Sequence, residues 1–454
     1  MTRFSERSPL ARVLLVAVAG SIVIGVGYAV WLVCGPGPTD FAAGKRLALS
    51  QSDGAHMNPS GVPSELATAD LVTRGEYLTR AADCSACHTT ANGHAYSGGL
   101  GFVLPFGVIY STNITPDKET GIGNYTDADF LRVMHEGVAP GGKRLYPAMP
   151  YPSYTRMSDA DALAIKAYLF SLPGVKVVQT PNALAFPFNQ RWLMAVWSAA
   201  FSSDERFAIN SERSAQWNRG AYLAEAMAHC GECHTPRTLA FSIDNRRKFA
   251  GSEQAGWRAY NITADDKTGV GEWSAEQVAL YISRGHAEGR GTAGGPMGEA
   301  VDHSFRYLTR GDVDALVAYV RTVPPIISRD LPAVKSLPAP TLHSEGVAAD
   351  FDPRGKEIFE GACASCHGWS GISPVLKDAT LIGGRAVNDP SAVNVVQVVL
   401  SGARRSGVYM PGFGAAYSDV EVAAVANYVI ARFGARTSKV TAADVGRLRL
   451  QASN

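Results

Sequence analysis

Cys84-Ser85-Ala86-Cys87-His88, Cys230-Gly231-Glu232-Cys233-His234 and Cys363-Ala364-Ser365-Cys366-His367 write one pattern three times, at separations of 146 and 133 residues. C-x-x-C-H is the signature of covalent c-type haem attachment. Two thiols on one helical turn add to the two vinyl groups of a haem, and the next residue offers its imidazole to the iron. Zinc needs four ligands gathered together, and these pairs lie far apart in the chain. A redox C-x-x-C belongs in a βαβ setting, and no such pattern surrounds them. Six of the seven cysteines are used by the motifs; Cys34 stands alone, so a disulfide framework within the chain is excluded.

The 454 residues suffice for about three domains. The net charge of +1 gives no electrostatic reason to expect nucleic acid as a partner. Covalent haem requires export, which makes a bacterial periplasm the expected compartment.

Working outward, each motif is framed by the same helices. Arg74-Gly75-Glu76-Tyr77, Arg219-Gly220-Ala221-Tyr222 and Arg354-Gly355-Lys356-Glu357 open the repeats, with the glycine 9, 10 and 8 residues before the first cysteine. Closing helices carry Tyr168, Tyr319 and Tyr428 among apolar residues at helical spacing. A glycine on one helix and an aromatic on the other suit a close crossing. The first two repeats are nearer kin: Asn113-Ile114-Thr115 answers Asn261-Ile262-Thr263, and 24 residues separate each Asn from Gly137 or Gly285. The expected fold is all-α, three tandem cytochrome c class I-like domains at 66–175, 215–323 and 353–454. An aromatic-rich linker (176–214) and a proline-rich linker (324–352, with Pro338 and Pro340) join them. The first reads as a helix packed on the repeats or as a docking face; the second reads as an extended strap.

A methionine precedes each closing helix in a Pro/Gly-rich loop. Met149, Met297 and Met410 run 19, 22 and 18 residues ahead of the closing tyrosines. A lone Met is usually core filler; recurrence in register is not. The axial pairs expected are His88/Met149, His234/Met297 and His367/Met410, with Met134, Met157, His286 and His303 as weaker rivals. Such haems are closed and suited to electron transfer, and the oxidised protein should show a weak far-red sulfur-to-iron band. Arg237 is a candidate partner for a haem propionate, and Pro105 and Pro374 for the carbonyls that fix proximal imidazoles.

Val13 to Val33 is a run of 21 residues without charge, preceded by Arg3, Arg7 and Arg12 against Glu6. That reads as a retained transmembrane anchor (1–34) in the inner membrane, with the haem domains in the periplasm. The alternative is a signal peptide cleaved near Ala17-Val18-Ala19. Residues 35–65, rich in Gly, Pro and Ser, read as a flexible tether.

Taken together, the three motifs, Tyr110-Ser111-Thr112-Asn113-Ile114-Thr115-Pro116-Asp117, Tyr146-Pro147-Ala148-Met149-Pro150-Tyr151 and Cys230-Gly231-Glu232-Cys233-His234-Thr235-Pro236-Arg237 resemble the tri-haem cytochrome c subunit of membrane-bound periplasmic dehydrogenases of acetic acid bacteria and their relatives. Members serve alcohol, aldehyde, gluconate and fructose dehydrogenases. The resemblance implies a large catalytic partner carrying pyrroloquinoline quinone, a molybdenum cofactor or flavin, with three haems c passing its electrons to ubiquinone. The run from Gly294 to Ser304 looks more like versions serving a molybdenum aldehyde dehydrogenase, which implies a small iron–sulfur subunit as well. A haem peroxidase would need an open distal site, and a terminal-oxidase subunit fits the Asn-Ile-Thr inserts poorly. No P-loop, dinucleotide fingerprint or nucleophile–base set occurs, so no substrate-oxidising site is expected in this chain.

Overall fold

The computed structural model describes residues 9–33, 59–334, 352–405 and 408–452. Arg3, Glu6, Arg7, Cys34, most of the expected tether, Pro338 and Pro340 lie outside the described residues.

The N-terminal run is helical, α1 (Pro9–Val33). Among the described residues, however, no helix is long and apolar enough to cross a membrane. The expected single span, and the inner-membrane placement built on it, are thereby overturned. Absence of charge does not by itself make a span. Its far end turns to the protein, where the Arg246 guanidinium lies 3.1 Å over the Trp31 ring and donates to the Trp31 carbonyl.

Three repeats follow. The first contains α2 (Leu71–Ala81), α3 (Cys84–His88), the hairpin β1 (Gly101–Leu104) and β2 (Gly107–Tyr110), α4 (Asp127–Glu136), β3 (Val138–Ala139), β4 (Lys143–Arg144), α5 (Tyr151–Tyr154) and α6 (Asp159–Ser171). After β5 (Ala183–Leu184) and α7 (Leu193–Phe201), the second contains α8 (Ala215–Tyr222), α9 (Cys230–His234), β6 (Ser252–Gln254), β7 (Trp257–Ala259), α10 (Ala275–Arg284), β8 (His286–Ala287), β9 (Gly291–Thr292), α11 (Gly295–His303) and α12 (Arg310–Val320). The third comprises α13 (Pro353–Ile358), α14 (Ala364–His367), α15 (Val393–Ser401), β10 (Ala403–Arg405), β11 (Val408–Met410), α16 (Asp419–Phe433) and α17 (Ala442–Ala452). The chain is therefore helical with small antiparallel sheets, not strictly all-α.

Local chemistry sets the helix ends. Thr126 with Asp129, Ser274 with Gln277 and Ser418 with Glu421 form capping boxes. Gly137 (φ 65°) and Gly285 (φ 66°) close α4 and α10 in the left-handed region.

In each repeat the first and last helices cross at the predicted glycine. A Cβ on Gly75 would lie 1.9 Å from the Ala164 carbonyl oxygen and 2.9 Å from the Tyr168 Cβ; on Gly220, 1.9 Å from Ala315 O and 2.9 Å from the Tyr319 Cβ. Gly355 meets Ala424 O at 2.3 Å and the Tyr428 Cβ at 3.0 Å. Gly220→Ala is therefore expected to destabilise the protein by about 1–3 kcal/mol through overpacking. This exceeds the roughly 1 kcal/mol that alanine contributes through helix propensity. The midpoint of chemical unfolding measures it; an unchanged or raised midpoint would mean that the crossing relaxes freely.

Repeats one and two share one apolar core, whereas the third has its own. The first two dock by a reciprocal arrangement. Tyr77 Oη donates to Asp312 Oδ2 at 2.6 Å and accepts from Thr309 N at 3.2 Å. Tyr222 Oη donates to Asp161 Oδ2 at 2.5 Å and accepts from Ser158 N at 3.1 Å. Both tyrosines stand two residues past the crossing glycine, and both aspartates stand three past the N-cap of the closing helix. Each repeat thus presents the same patch to the other, as in a two-fold dimer. Residues 59–61, the end of the expected tether, are pinned here: Arg219 Nη1 donates to Pro59 O (2.7 Å) and Gly61 O (2.9 Å), and Gly61 N to Asp161 Oδ2 (2.7 Å).

The aromatic linker carries α7, which packs on the protein through one of its tryptophans. Trp197 Nε1 donates to Ala240 O at 2.7 Å, while Phe186 and Trp192 stay exposed.

Candidate haem sites

The approach to each motif is a distorted helix. Asp83 (φ 54°) and His229 (φ 38°) take left-handed conformations immediately before the first cysteine of repeats one and two. π-Helical turns, Leu223–Met227 and Phe359–Cys363, precede or enter the motifs of repeats two and three. Such turns are common at functional sites. Burial, with the Asp83 carboxyl beside it, pushes the Cys84 thiol up to about 12.

Each motif histidine is oriented in the same way. His88 Nδ1 meets Thr112 O, His234 Nδ1 meets Tyr260 O and His367 Nδ1 meets Ala379 O, all at 2.6 Å. Burial lowers the pKa of all three rings despite those bonds. The neutral ring donates its Nδ1–H to the carbonyl and keeps the Nε2 lone pair for a metal. Pro105 and Pro374 are not the anchors. The chain passes them and returns on a later segment, after β2 in the first repeat and in a short helical turn (Lys377–Ala379) in the third.

The Asn-Ile-Thr inserts hold those returning segments. Asn113 Oδ1 accepts from Thr115 N (2.9 Å) and Oγ1 (2.7 Å), and its Nδ2 donates to Val175 O at 2.7 Å. Asn261 repeats this with Thr263 at the same two distances and with Ile326 O at 2.6 Å. The sequence displayed the inserts but not this task.

All six motif cysteines, the three histidines, Met149, Met297 and Met410 line one continuous cavity of about 2890 Å³. Met149 packs on the same apolar cluster as Cys84, and Met297 on the same cluster as Cys230. Met297 is not in a loop: Gly294 caps α11 and Pro296 sits in its first turn, where proline is tolerated. Met410 ends β11 opposite Ala403. Among the rivals, Met157 is wholly buried, His303 is exposed and His286 Nδ1 meets Thr292 Oγ1 at 2.8 Å; none of the three lines the cavity. Met134 does line it, from within α4. Arg237 Nη2 donates to Glu232 Oε2 at 2.6 Å and Glu232 O at 3.0 Å, so its guanidinium already has an anionic partner. Paired thiols, an imidazole with a free nitrogen and a thioether on one cavity are the donor set that a haem c requires.

Comparison with known proteins agrees. The cytochrome c family matches residues 72–173, and the family of cytochrome c oxidase, cbb3-type, subunit III matches residues 352–429. The chain is 35% identical over 407 residues to the gluconate 2-dehydrogenase cytochrome c subunit of Pantoea cypripedii, covering 84% of this chain and 89% of that one. It is 35% identical over 405 residues to the fructose dehydrogenase cytochrome subunit of Gluconobacter japonicus, covering 83% and 82%. It is 38% identical over 388 residues to a nicotinate dehydrogenase subunit of Pseudomonas putida, covering 84% of this chain but spanning only 32% of that longer protein. With its cytochrome c domains and their covalently bound haem c, the chain belongs to the family of cytochrome c subunits of gluconate, fructose and quinone alcohol dehydrogenases.

Proposed function

We propose that this chain is a three-haem electron-transfer subunit, carrying electrons from a catalytic dehydrogenase subunit to ubiquinone. Cys84 and Cys87, Cys230 and Cys233, and Cys363 and Cys366 hold the three haems, in domains near 66–175, 215–323 and 353–454. His88/Met149, His234/Met297 and His367/Met410 take the axial places. A haem so ligated supplies one-electron chemistry at closed iron. The protein's part is to orient the imidazoles through Thr112, Tyr260 and Ala379, and to keep the three places in one hollow. That shared cavity is the observation that carries the reading.

Two surfaces support the direction of flow. Around the third motif Cys366, Trp369, Val375 and Tyr409 are exposed, an apolar face suited to a catalytic subunit. Beside the first motif Phe106 stacks on Phe188 at 4.2 Å and meets Phe241 edge-on at 5.0 Å. With Arg191 these rings line the cavity and suit a quinone ring.

The Gly294–Ser304 run favours an aldehyde as the partner's substrate, with a molybdenum cofactor and an iron–sulfur subunit. A second reading, a nicotinate-like substrate, is favoured by the 38% identity to the Pseudomonas putida protein. Haem quantitation per polypeptide tests the core claim: three haems are expected, and two in the Cys363→Ser, Cys366→Ser double variant. Fewer than three in the unmodified protein would overturn it, as would a chain that oxidises a substrate without a partner. Subunit and cofactor analysis of the complex purified with this chain separates the substrates.

A further inference from the structure

The segment that orients His234 is held by another repeat. Tyr260 supplies the carbonyl to His234 Nδ1, and the strand leading to it, β7, ends at Ala259. Asp389, in the third repeat and 1% exposed, accepts from Tyr260 Oη at 3.2 Å and from Arg258 Nη1 at 3.3 Å. Asn394, also in the third repeat, clasps the Arg258 backbone on both sides. Its Oδ1 accepts from Arg258 N at 2.8 Å and its Nδ2 donates to Arg258 O at 2.9 Å.

Among the described residues the first repeat shows no such foreign clamp at this place. There the strand before Thr112 is held by the chain's own continuation, with Tyr110 N donating to Asn182 Oδ1 at 3.0 Å and β2 pairing with β5. The second and third repeats, by contrast, grip each other. Thr292 Oγ1 of the second donates to Asp378 O at 2.7 Å, one residue before the Ala379 carbonyl that orients His367.

We propose that Asp389 is a positioning residue for His234, so that the third repeat sets the potential of the haem attached to the second. The inference rests on the three-haem reading above. Its physical basis is the strength of the His234 Nδ1–H bond. A well-placed carbonyl raises the electron donation of the imidazole and favours the oxidised iron. Loosening Tyr260 weakens that bond, and the potential rises.

The test is a redox titration of the intact holoprotein, resolved into its three steps. The step missing from the Cys230→Ser, Cys233→Ser double variant identifies the second haem. If that variant loses no haem, the three-haem reading fails rather than this one. Tyr260→Phe keeps the ring, the carbonyl and the Asp389 charge, and removes only the Oη contact. Asp389→Asn removes the charge, while Arg258 keeps its pairing with Asp330. Both variants are expected to raise the identified potential and leave the first haem's potential and EPR signature unchanged. Thr292→Val is expected to move the third potential instead. An identified step that stays in place in Tyr260→Phe, or three steps that move together, would overturn the proposal.

Discussion

Asp312→Ala is expected to destabilise the protein by about 3–5 kcal/mol, the cost of breaking a buried ion pair from one side. Asp312 and Arg219 are 3% and 5% exposed, and the carboxylate takes both the Arg219 Nε (2.8 Å) and Nη2 (2.7 Å). It also accepts the Tyr77 hydroxyl from the other repeat. Without it the guanidinium keeps, among the described residues, the Pro59 and Gly61 carbonyls and no counter-ion. Among the described residues no arginine pairs with the reciprocal aspartate, so Tyr222→Phe should cost less, about 1–3 kcal/mol for one bond to a charged group. Chemical unfolding followed by haem absorbance measures both. Equal losses would show that the arginine adds nothing; a loss below about 1 kcal/mol for Asp312→Ala would mean that this contact does not hold the first two repeats together.

What could be read from the chain beforehand follows a physical line. Covalent attachment dictates C-x-x-C-H, and close crossing tolerates little but glycine at Gly75, Gly220 and Gly355, so those positions announce themselves. The Tyr77–Asp312 pair spans 235 residues, and no local pattern marks it. In the third repeat Glu357 and Glu421 occupy the corresponding positions, so the pairing cannot recur there, and only the folded arrangement reveals the asymmetry. The anchoring carbonyls were missed for a related reason: a backbone oxygen has no residue type, so neither Thr112, Tyr260 nor Ala379 carries a signature. At Met297 the Gly294-Gly295-Pro296 run suggested a loop, yet the same residues start a helix well. At α1 the charge-free run suggested a span, which no helix among the described residues provides.

Methionine replacement has the largest expected functional effect. Met297→Ala is expected to leave three haems attached, because the thioethers remain, but to open one iron. Met157 and Met227 are wholly buried and act as core packing, whereas Met149, Met297 and Met410 are only partly buried and face the cavity shared with the motif histidines. Loss of the sulfur should remove about a third of the far-red band and lower one of the three potentials, since thioether ligation raises it. Carbon monoxide should then bind one haem in three in the reduced protein. Met149→Ala and Met410→Ala should each do the same at a different step of the redox titration, and the triple variant should lose the band entirely. Met134→Ala provides the contrast: it lines the cavity from α4 and is 4% exposed, so its truncation should cost about 2–5 kcal/mol of stability while the band persists. If Met134→Ala abolished a third of the band and Met149→Ala did not, the first haem would take its sulfur from α4. If the unmodified protein already bound carbon monoxide at every haem, closed His/Met ligation would be wrong and the chain would have to be reconsidered as one that reacts at its irons.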